Sequence, residues 1–226
     1  MKLRPISNSI FYGVILLGLL PVLLLALGLL PIRFRVDERQ SPVGQAAHML
    51  GIALYAYAND NSGNYPEGKS STEICQKLLN DGYITDPGIF CVSGSGKIKA
   101  ESGQKLKPEN VCWDYTAGLS TKSPGEVPLF FLTGYRVRYV PGGRAIPLPK
   151  SDWPLRSWSQ WWNKEPRPGS LFQGGVAVFY VNNSTKFINR VTAPDGTSSI
   201  PNFISPDYKP DGKTYRQLTP DGVLPP

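Results

Sequence analysis

Histidine and cysteine are scarce in this sequence, which restricts the chemistry it can perform. The 226 residues include a single histidine, His48, and three cysteines that form no C-x-x-C pair. A structural zinc site draws its ligands mainly from these two residue types. His48 lies one residue from the apolar stripe of a predicted helix, where a surface or packing role is favoured over proton transfer. We therefore expect no catalytic residues, no bound cofactor and no enzymatic activity.

Runs of basic residues are also missing. The net charge is +7, of which residues 1–39 supply +3 from five Lys/Arg against two Asp/Glu. The other basic residues are scattered along the chain, whereas a nucleic-acid-binding domain concentrates them on one surface or helix. The sequence predicts no nucleic-acid partner.

Charge is absent altogether from one segment near the N-terminus. Residues Ile10 to Ile32 are uncharged and consist mostly of leucine and other aliphatic residues. A helix of this length rises about 35 Å, and the hydrocarbon core of a bilayer is about 30 Å thick. The sequence predicts a transmembrane anchor over residues 10–32, after a short tail (residues 1–9) and before a juxtamembrane linker (residues 33–41).

Two other interpretations of this segment are weighed against an anchor. A cleaved secretory signal would end in small residues, and Ala26-Leu27-Gly28 faintly resembles such a site, although large apolar residues follow it. A buried core helix is disfavoured because the run has no polar face. Basic residues flank the segment almost equally, but a short tail before a long polar domain is typical of a signal anchor. We expect a single-pass protein with a cytoplasmic N-terminus and an extracytoplasmic domain in contact with membrane lipid.

The rest of the chain predicts an α+β domain over residues 42–193. Ser41-Pro42 is a typical helix start, and apolar residues then recur at three- and four-residue spacing to about Ala58. A second helix is predicted from Ser71 to Asn80, ended by Gly82. We expect the first helix to pack on a small antiparallel sheet. The predicted strands are Val111–Ala117, Leu129–Leu132, Tyr135–Val140 and a hairpin of Val176–Val181 with Lys186–Val191.

Proline and glycine dominate the C-terminal residues. Residues 194–226 hold seven prolines and three Asp-Gly pairs, a composition that predicts an irregular and partly disordered tail. Asp195, Asp207, Asp211 and Asp221 carry oxygens of the kind that bind calcium, but they lack the dense spacing of a calcium loop. Turn formation is therefore favoured as their role.

The three cysteines offer a disulfide if the domain lies in an oxidising compartment. Cys91 and Cys112 flank a predicted loop, whereas Cys75 lies within a predicted helix. We favour a Cys91–Cys112 disulfide, with three buried free thiols as the alternative.

Four tryptophans crowd a window of ten residues. Tryptophan offers a large contact area and one hydrogen-bond donor, so the cluster predicts a surface for a partner protein, a glycan or lipid headgroups. Attachment of a long loop to the sheet is an equally good interpretation. The residues are Trp153, Trp158, Trp161 and Trp162.

Several segments, taken in order, resemble type II secretion pseudopilin-like proteins, which are type IV pilin-like. Leu54–Pro66 is similar to the end of the family's long helix, with its Tyr-Ala-x-Asp-x-x-Gly-x-Tyr-Pro turn. The chain is divergent: it has no recognisable prepilin cleavage motif and no acidic residue before Asp37. Further similar segments are Leu79–Pro87, Ile89–Cys91, Asp114–Leu119 and Gly174–Val181.

The resemblance implies a pilin-like fold, in which a long helix begins in the membrane and lays its outer half on an antiparallel sheet. It also implies a location in the cell inner membrane, with the domain in the periplasm, and partners among pilin-like subunits or secretion-system components. We therefore expect a structural or assembly protein that acts through its extracytoplasmic domain. The alternative is an anchored cell-envelope binding module that uses the tryptophan-rich surface outside any filament.

Overall fold

The computed structural model describes residues 42–92, 95, 97–142, 144–147, 175–189, 191–192 and 198–224. All of them belong to one compact unit, Asp37–Pro226. Helix α1 spans Pro42–Asp60 and helix α2 spans Ser71–Asn80. The strands are β1 Trp113–Ala117, β2 Pro128–Leu132, β3 Tyr135–Arg136, β4 Arg144–Pro147, β5 Gly175–Tyr180, β6 Thr185–Asn189, β7 Val191–Thr192, β8 Ser198–Pro201, β9 Arg216–Thr219 and β10 Gly222–Val223.

The strands form two antiparallel sheets. The first has six strands in the order β10-β9-β1-β2-β5-β6, and the second has four in the order β3-β4-β8-β7. Helix α1 packs on β5, β2 and β6, while α2 packs on β1 and β9. The predicted α+β class, with two helices on antiparallel strands, is confirmed.

The inner face of α1 forms much of the core. Apolar residues recur along it at three- and four-residue spacing, so they line one side of the helix. Gly51 lies on the same side and lets the ring of Phe179 on β5 approach the helix backbone closely. The apolar stripe predicted from the sequence is buried along its length: Val43, Ala47, Leu50, Leu54 and Tyr57.

Helix α2 has the bounds that the sequence predicts, and local contacts explain where it begins. The hydroxyl of Ser70 accepts a hydrogen bond from the backbone N–H of Glu73, and the Glu73 carboxylate accepts one from Lys69 N. The bond from Glu73 N to Ser70 satisfies one N–H group that the helix start leaves free, and the bond from Lys69 N fixes the residue before the cap. Gly82 follows the helix at φ 78°, a conformation that suits glycine. Two hydroxyls then tie α2 to the sheet, since Ser71 and Thr72 donate to carbonyls of Trp113 and Pro220.

The β5–β6 hairpin also matches its prediction closely. The strands begin and end within two residues of the predicted bounds. Asn183 adopts φ 62° in the turn, and Asn182 accepts hydrogen bonds from the backbone and side chain of Ser184. Asparagine tolerates this left-handed conformation better than most residues do.

The prediction of an irregular C-terminal tail is wrong where β8, β9 and β10 form, although residues 202–215 between β8 and β9 contain no helix or strand. Strand β9 pairs directly with β1 in the first sheet. Leu218 of β9 is fully buried opposite Tyr115. The strands are only two to four residues long, too short for alternating hydrophobicity to mark them against a background of proline and glycine.

One strand boundary also differs from its prediction. Of the predicted strand Tyr135–Val140, only Tyr135–Arg136 pairs as β3. Beyond it the backbone N–H of Val137 donates to the side chain of Gln217 rather than to a neighbouring strand.

Within the described ranges, no helix has both the length and the apolar character needed to cross a bilayer. The predicted anchor, residues 10–32, lies outside those ranges.

Candidate functional site

The outward side of α1 holds no Asp, Glu, Lys or Arg before its last residue, and its middle is apolar. Met49, Ile52 and Tyr55 are 58%, 48% and 39% exposed, and their three-residue spacing places them in one stripe. From Pro42 to Asn59 the helix contains no Asp, Glu, Lys or Arg. A helix that covers a sheet normally turns charged residues to solvent. This exposed stripe, which we call the α1 stripe, is therefore the clearest candidate for an interaction surface.

His48 borders the α1 stripe and is held by β5 and β6. Its Nδ1 lies 3.4 Å from the hydroxyl of Thr185, and its ring is 6.3 Å from that of Phe179. These contacts fix the side chain against the edge of the sheet. The arrangement suits a packing role for this histidine.

The structure brings Cys91 and Cys112 close together without joining them. The backbone N–H of Cys112 donates to the carbonyl of Phe90, and Val92 N donates to the Cys112 sulfur at 3.3 Å. All three cysteines are free, with Cys75 and Cys112 buried and Cys91 half-buried. Burial raises the pKa of the Cys112 thiol to about 12, so it is an unreactive thiol at neutral pH. The disulfide stays a prediction.

Asp114 is a notable buried group that sequence reasoning missed. Its Oδ2 accepts a hydrogen bond of 2.6 Å from Gln217 Nε2, while its Oδ1 is buried without a hydrogen-bond partner. Burial raises the pKa of this carboxyl to about 7, although hydrogen bonds from Thr133 and Gln217 lower it. The available signal was a single acidic residue within the predicted, mostly apolar strand Val111–Ala117.

Asp114 belongs to a polar layer between the two sheets. Gln217 also donates to the carbonyl of Tyr135 and accepts from Val137 N, so its amide joins β9 to β1 and to the start of the second sheet. Beside it, the hydroxyls of Thr116 and Tyr139 are 2.9 Å apart. The layer holds the second sheet in place, and it leaves the carboxyl enclosed rather than presented to a substrate.

A groove of about 590 Å³ opens at the C-terminal end of α2. Two of the amide side chains that line it already bond within the protein, since Gln76 accepts from Leu106 N and donates to Asn80. These two side chains are therefore already engaged in holding the groove's wall together.

The aspartates considered as calcium ligands act as turn residues where they are described. Asp211 accepts hydrogen bonds from Lys213 N and from the Tyr215 hydroxyl, and Gly212 follows it at φ 76°. The bond from Tyr215 lowers the pKa of the Asp211 carboxyl. In the part of the chain that the structure describes, no three His, Cys, Asp or Glu side chains are grouped to hold a metal. Asp195 lies outside that part.

The tryptophan cluster predicted as a binding surface also lies outside the described residues. This applies to all four of its members, Trp153, Trp158, Trp161 and Trp162.

Comparison with known proteins adds no relative. No protein-family model, no curated protein and no solved structure matches this chain. The resemblance to pseudopilin-like proteins therefore depends on the sequence motifs alone.

Proposed function

We propose that this chain is a membrane-anchored, pilin-like assembly protein that joins other subunits through the α1 stripe. The anchor is the uncharged segment Ile10–Ile32, and the assembling part is the α+β domain that begins at Pro42. The protein performs no catalysis; its work is to pack against neighbouring subunits in the plane of the inner membrane.

The observation that carries the proposal is the absence of charge on the exposed side of α1. Met49, Ile52 and Tyr55 expose apolar surface that a monomeric domain would normally cover or replace with charged residues. Helices associate most readily through such stripes, because burying them removes apolar area from water without desolvating charges. In the sequence, the stripe follows the predicted span after a short linker, so anchoring would concentrate the domains that carry it in one membrane.

The arrangement of α1 on antiparallel strands also supports the pilin-like interpretation. The inner face of α1 packs on β5, β2 and β6, and the Tyr-Ala-x-Asp-x-x-Gly-x-Tyr-Pro motif covers the last turn of the helix and the loop after it. In this loop Gly63 adopts φ 83°. The motif that carries the resemblance thus coincides with a backbone reversal that needs glycine.

The test measures association between two differently labelled copies of the full chain in one bilayer. We expect energy transfer between copies, and we expect Ile52→Glu to weaken the association about tenfold or more, since it buries a charge in the contact. Val223→Glu is the matched control, because Val223 and Ile52 are both 48% exposed but Val223 lies on β10. Equal melting temperatures would show that neither variant disturbs the fold.

Two results would refute the proposal. One is wild-type protein that stays monomeric at high density in the bilayer. The other is association that Ile52→Glu and Val223→Glu leave equally intact, which would place the contact away from α1.

A further inference from the structure

The second sheet has one buried side and one exposed side. Tyr135, Ala145 and Ile200 face the interior and are at most 7% exposed. The ring of Tyr135 lies against Phe203 in the core. Because side chains alternate along a strand, the residues between these point away from the core.

The strand register places six residues on the exposed side. Residues that pair across an antiparallel ladder share a face, and so do residues two apart along one strand. Arg136 pairs with Ile146, Arg144 with Pro201, and Val191 with Ser199. We call this surface the outer face, and its members are Arg136, Arg144, Ile146, Val191, Ser199 and Pro201.

The segment after β3 continues the same alternation. Val137 is 5% exposed and Tyr139 is held inward by its hydroxyl contact with Thr116. Arg138 and Val140, which alternate with them, are exposed. Both side chains are exposed directly after β3, so we count them with the outer face.

The outer face is cationic and partly apolar. Residues 135–147 contain three arginines and no Asp or Glu, and β7 and β8 add no acidic residue. The two ion pairs found among the described residues both use lysine, so no carboxylate there neutralises Arg136, Arg138 or Arg144. The apolar members are well exposed, with Val140 at 53%, Ile146 at 38% and Val191 at 55%.

We propose that the outer face binds anionic phospholipid headgroups at a bilayer surface. Guanidinium groups bind phosphate through paired hydrogen bonds, and apolar side chains beside them reach the boundary between headgroups and acyl chains. An acidic polysaccharide would use the three charges but leave the exposed valines and isoleucine in water, whereas a bilayer surface covers both kinds of side chain. That a bilayer lies near this face depends on the proposed membrane anchor. The cationic and apolar composition of the outer face is observed independently of that anchor.

The experiment measures how fast phenylglyoxal modifies each arginine of the full chain in lipid nanodiscs. One set contains phosphatidylcholine alone, and the other contains an equal mixture with phosphatidylglycerol. We expect Arg136, Arg138 and Arg144 to react about fivefold more slowly in the anionic discs, as a basic group gains by contact with an anionic surface. High salt should abolish the protection. Arg216, exposed on β9, is the internal control and should react equally in both.

Three outcomes would overturn the inference. The first is equal modification of the three arginines in both kinds of disc. The second is equal protection in phosphatidylcholine discs by inorganic phosphate alone, which would assign the site to a free anion. The third is protection by a soluble polyanion, such as polyglutamate, without protection by phosphatidylglycerol.

A variant series separates this inference from the proposed anchor. If the full chain fails to enter nanodiscs, the anchor is refuted, and the same protein is then floated with vesicles of the two compositions. Binding to anionic vesicles that is lost in R136Q/R138Q/R144Q and kept in Arg216→Gln still supports the inference. If the chain enters the discs but its arginines are not protected, the inference fails while the anchor stands.

Discussion

Asp114 shows how one buried carboxyl shapes the pH dependence of stability. Burial raises its pKa from 3.8 to about 7. Between pH 3.8 and about pH 7, the Asp114 carboxyl keeps its proton in the folded protein and releases it in the unfolded chain. The free energy of unfolding therefore falls as pH rises from about 4 to 7 and levels off above that range.

We expect Asp114→Asn to remove this loss of stability. The amide oxygen still accepts from Gln217 Nε2, but no charge is left to desolvate. The variant should be more stable than the wild type at pH 8, by an amount on the order of 4 kcal/mol for the full shift. At pH 4 most of that difference should vanish. Urea unfolding at several pH values measures both quantities.

The control for this variant is Asp207→Asn, which removes an exposed carboxylate. Its stability should stay within about 0.5 kcal/mol of the wild type at every pH. If the curves for Asp114→Asn and the wild type run parallel from pH 4 to 8, burial of the carboxyl does not govern the pH dependence.

At the scale of one element, α1 combines a tight inner contact with an unpartnered outer stripe. Gly51 is buried on the inner side, where an added Cβ would overlap the ring of Phe179. Alanine at this position gains about 1 kcal/mol in helix propensity, but overpacking a core costs about 1–3 kcal/mol. The close approach of helix and sheet therefore depends on glycine at position 51.

We expect Gly51→Ala to destabilise the domain by up to about 2 kcal/mol, because the steric cost exceeds the gain in propensity. Chemical denaturation measures the change. In a Phe179→Leu background the same substitution should cost less, since the smaller side chain leaves room for the methyl group. Identical costs in the two backgrounds would show that the Phe179 ring is not the obstacle.

At the scale of the whole molecule, the C-terminal residues complete the first sheet. Strand β9 lies between β10 and β1, and Tyr115 of β1 pairs with Leu218 across a long sequence separation. Helix α2 reaches the same region through the bond from Thr72 to the carbonyl of Pro220. The last part of the chain is therefore part of the core rather than an appendage.

We expect Leu218→Ala to lower the free energy of unfolding by about 2–5 kcal/mol, the usual cost of emptying a fully buried leucine site. Val223→Ala on neighbouring β10 is the control, because Val223 is 48% exposed and should change stability by about 0.5 kcal/mol or less. Thermal unfolding of the full chain compares the two variants. Equal, small effects would restore the view of residues 194–226 as a dispensable tail.

Elements with local signals were predictable and elements with distant partners were not. The bounds of α2 and the turn at Asn183 depend on caps and backbone conformations encoded within a few residues. Strands β8 and β9 are short and pair with β4 and β1, which lie far along the chain, and β10 is a two-residue strand added to the edge of β9. Strands this short contain too few residues to show the alternating hydrophobicity by which a strand is predicted from sequence.

The candidate surfaces divide in the same way. The lack of charge along α1 and the alternation of arginine with apolar residues at 136–140 are visible in the sequence. Which residues of each pattern face solvent depends on where the sheets lie. The exposure of Ile52 and Arg138 could therefore be assigned only from the tertiary structure.

The sequence by itself determined the α+β class, both described helices and the β5–β6 hairpin, because propensity, capping and hydrophobic spacing act over short stretches of chain. Tertiary structure alone decided that the C-terminal strands enter the core, that Asp114 is enclosed between two sheets, and that three arginines share one exposed face. Those features arise from strand pairing and burial between residues that are distant in sequence. Such contacts stabilise the protein only after folding has brought the residues together against the loss of chain entropy.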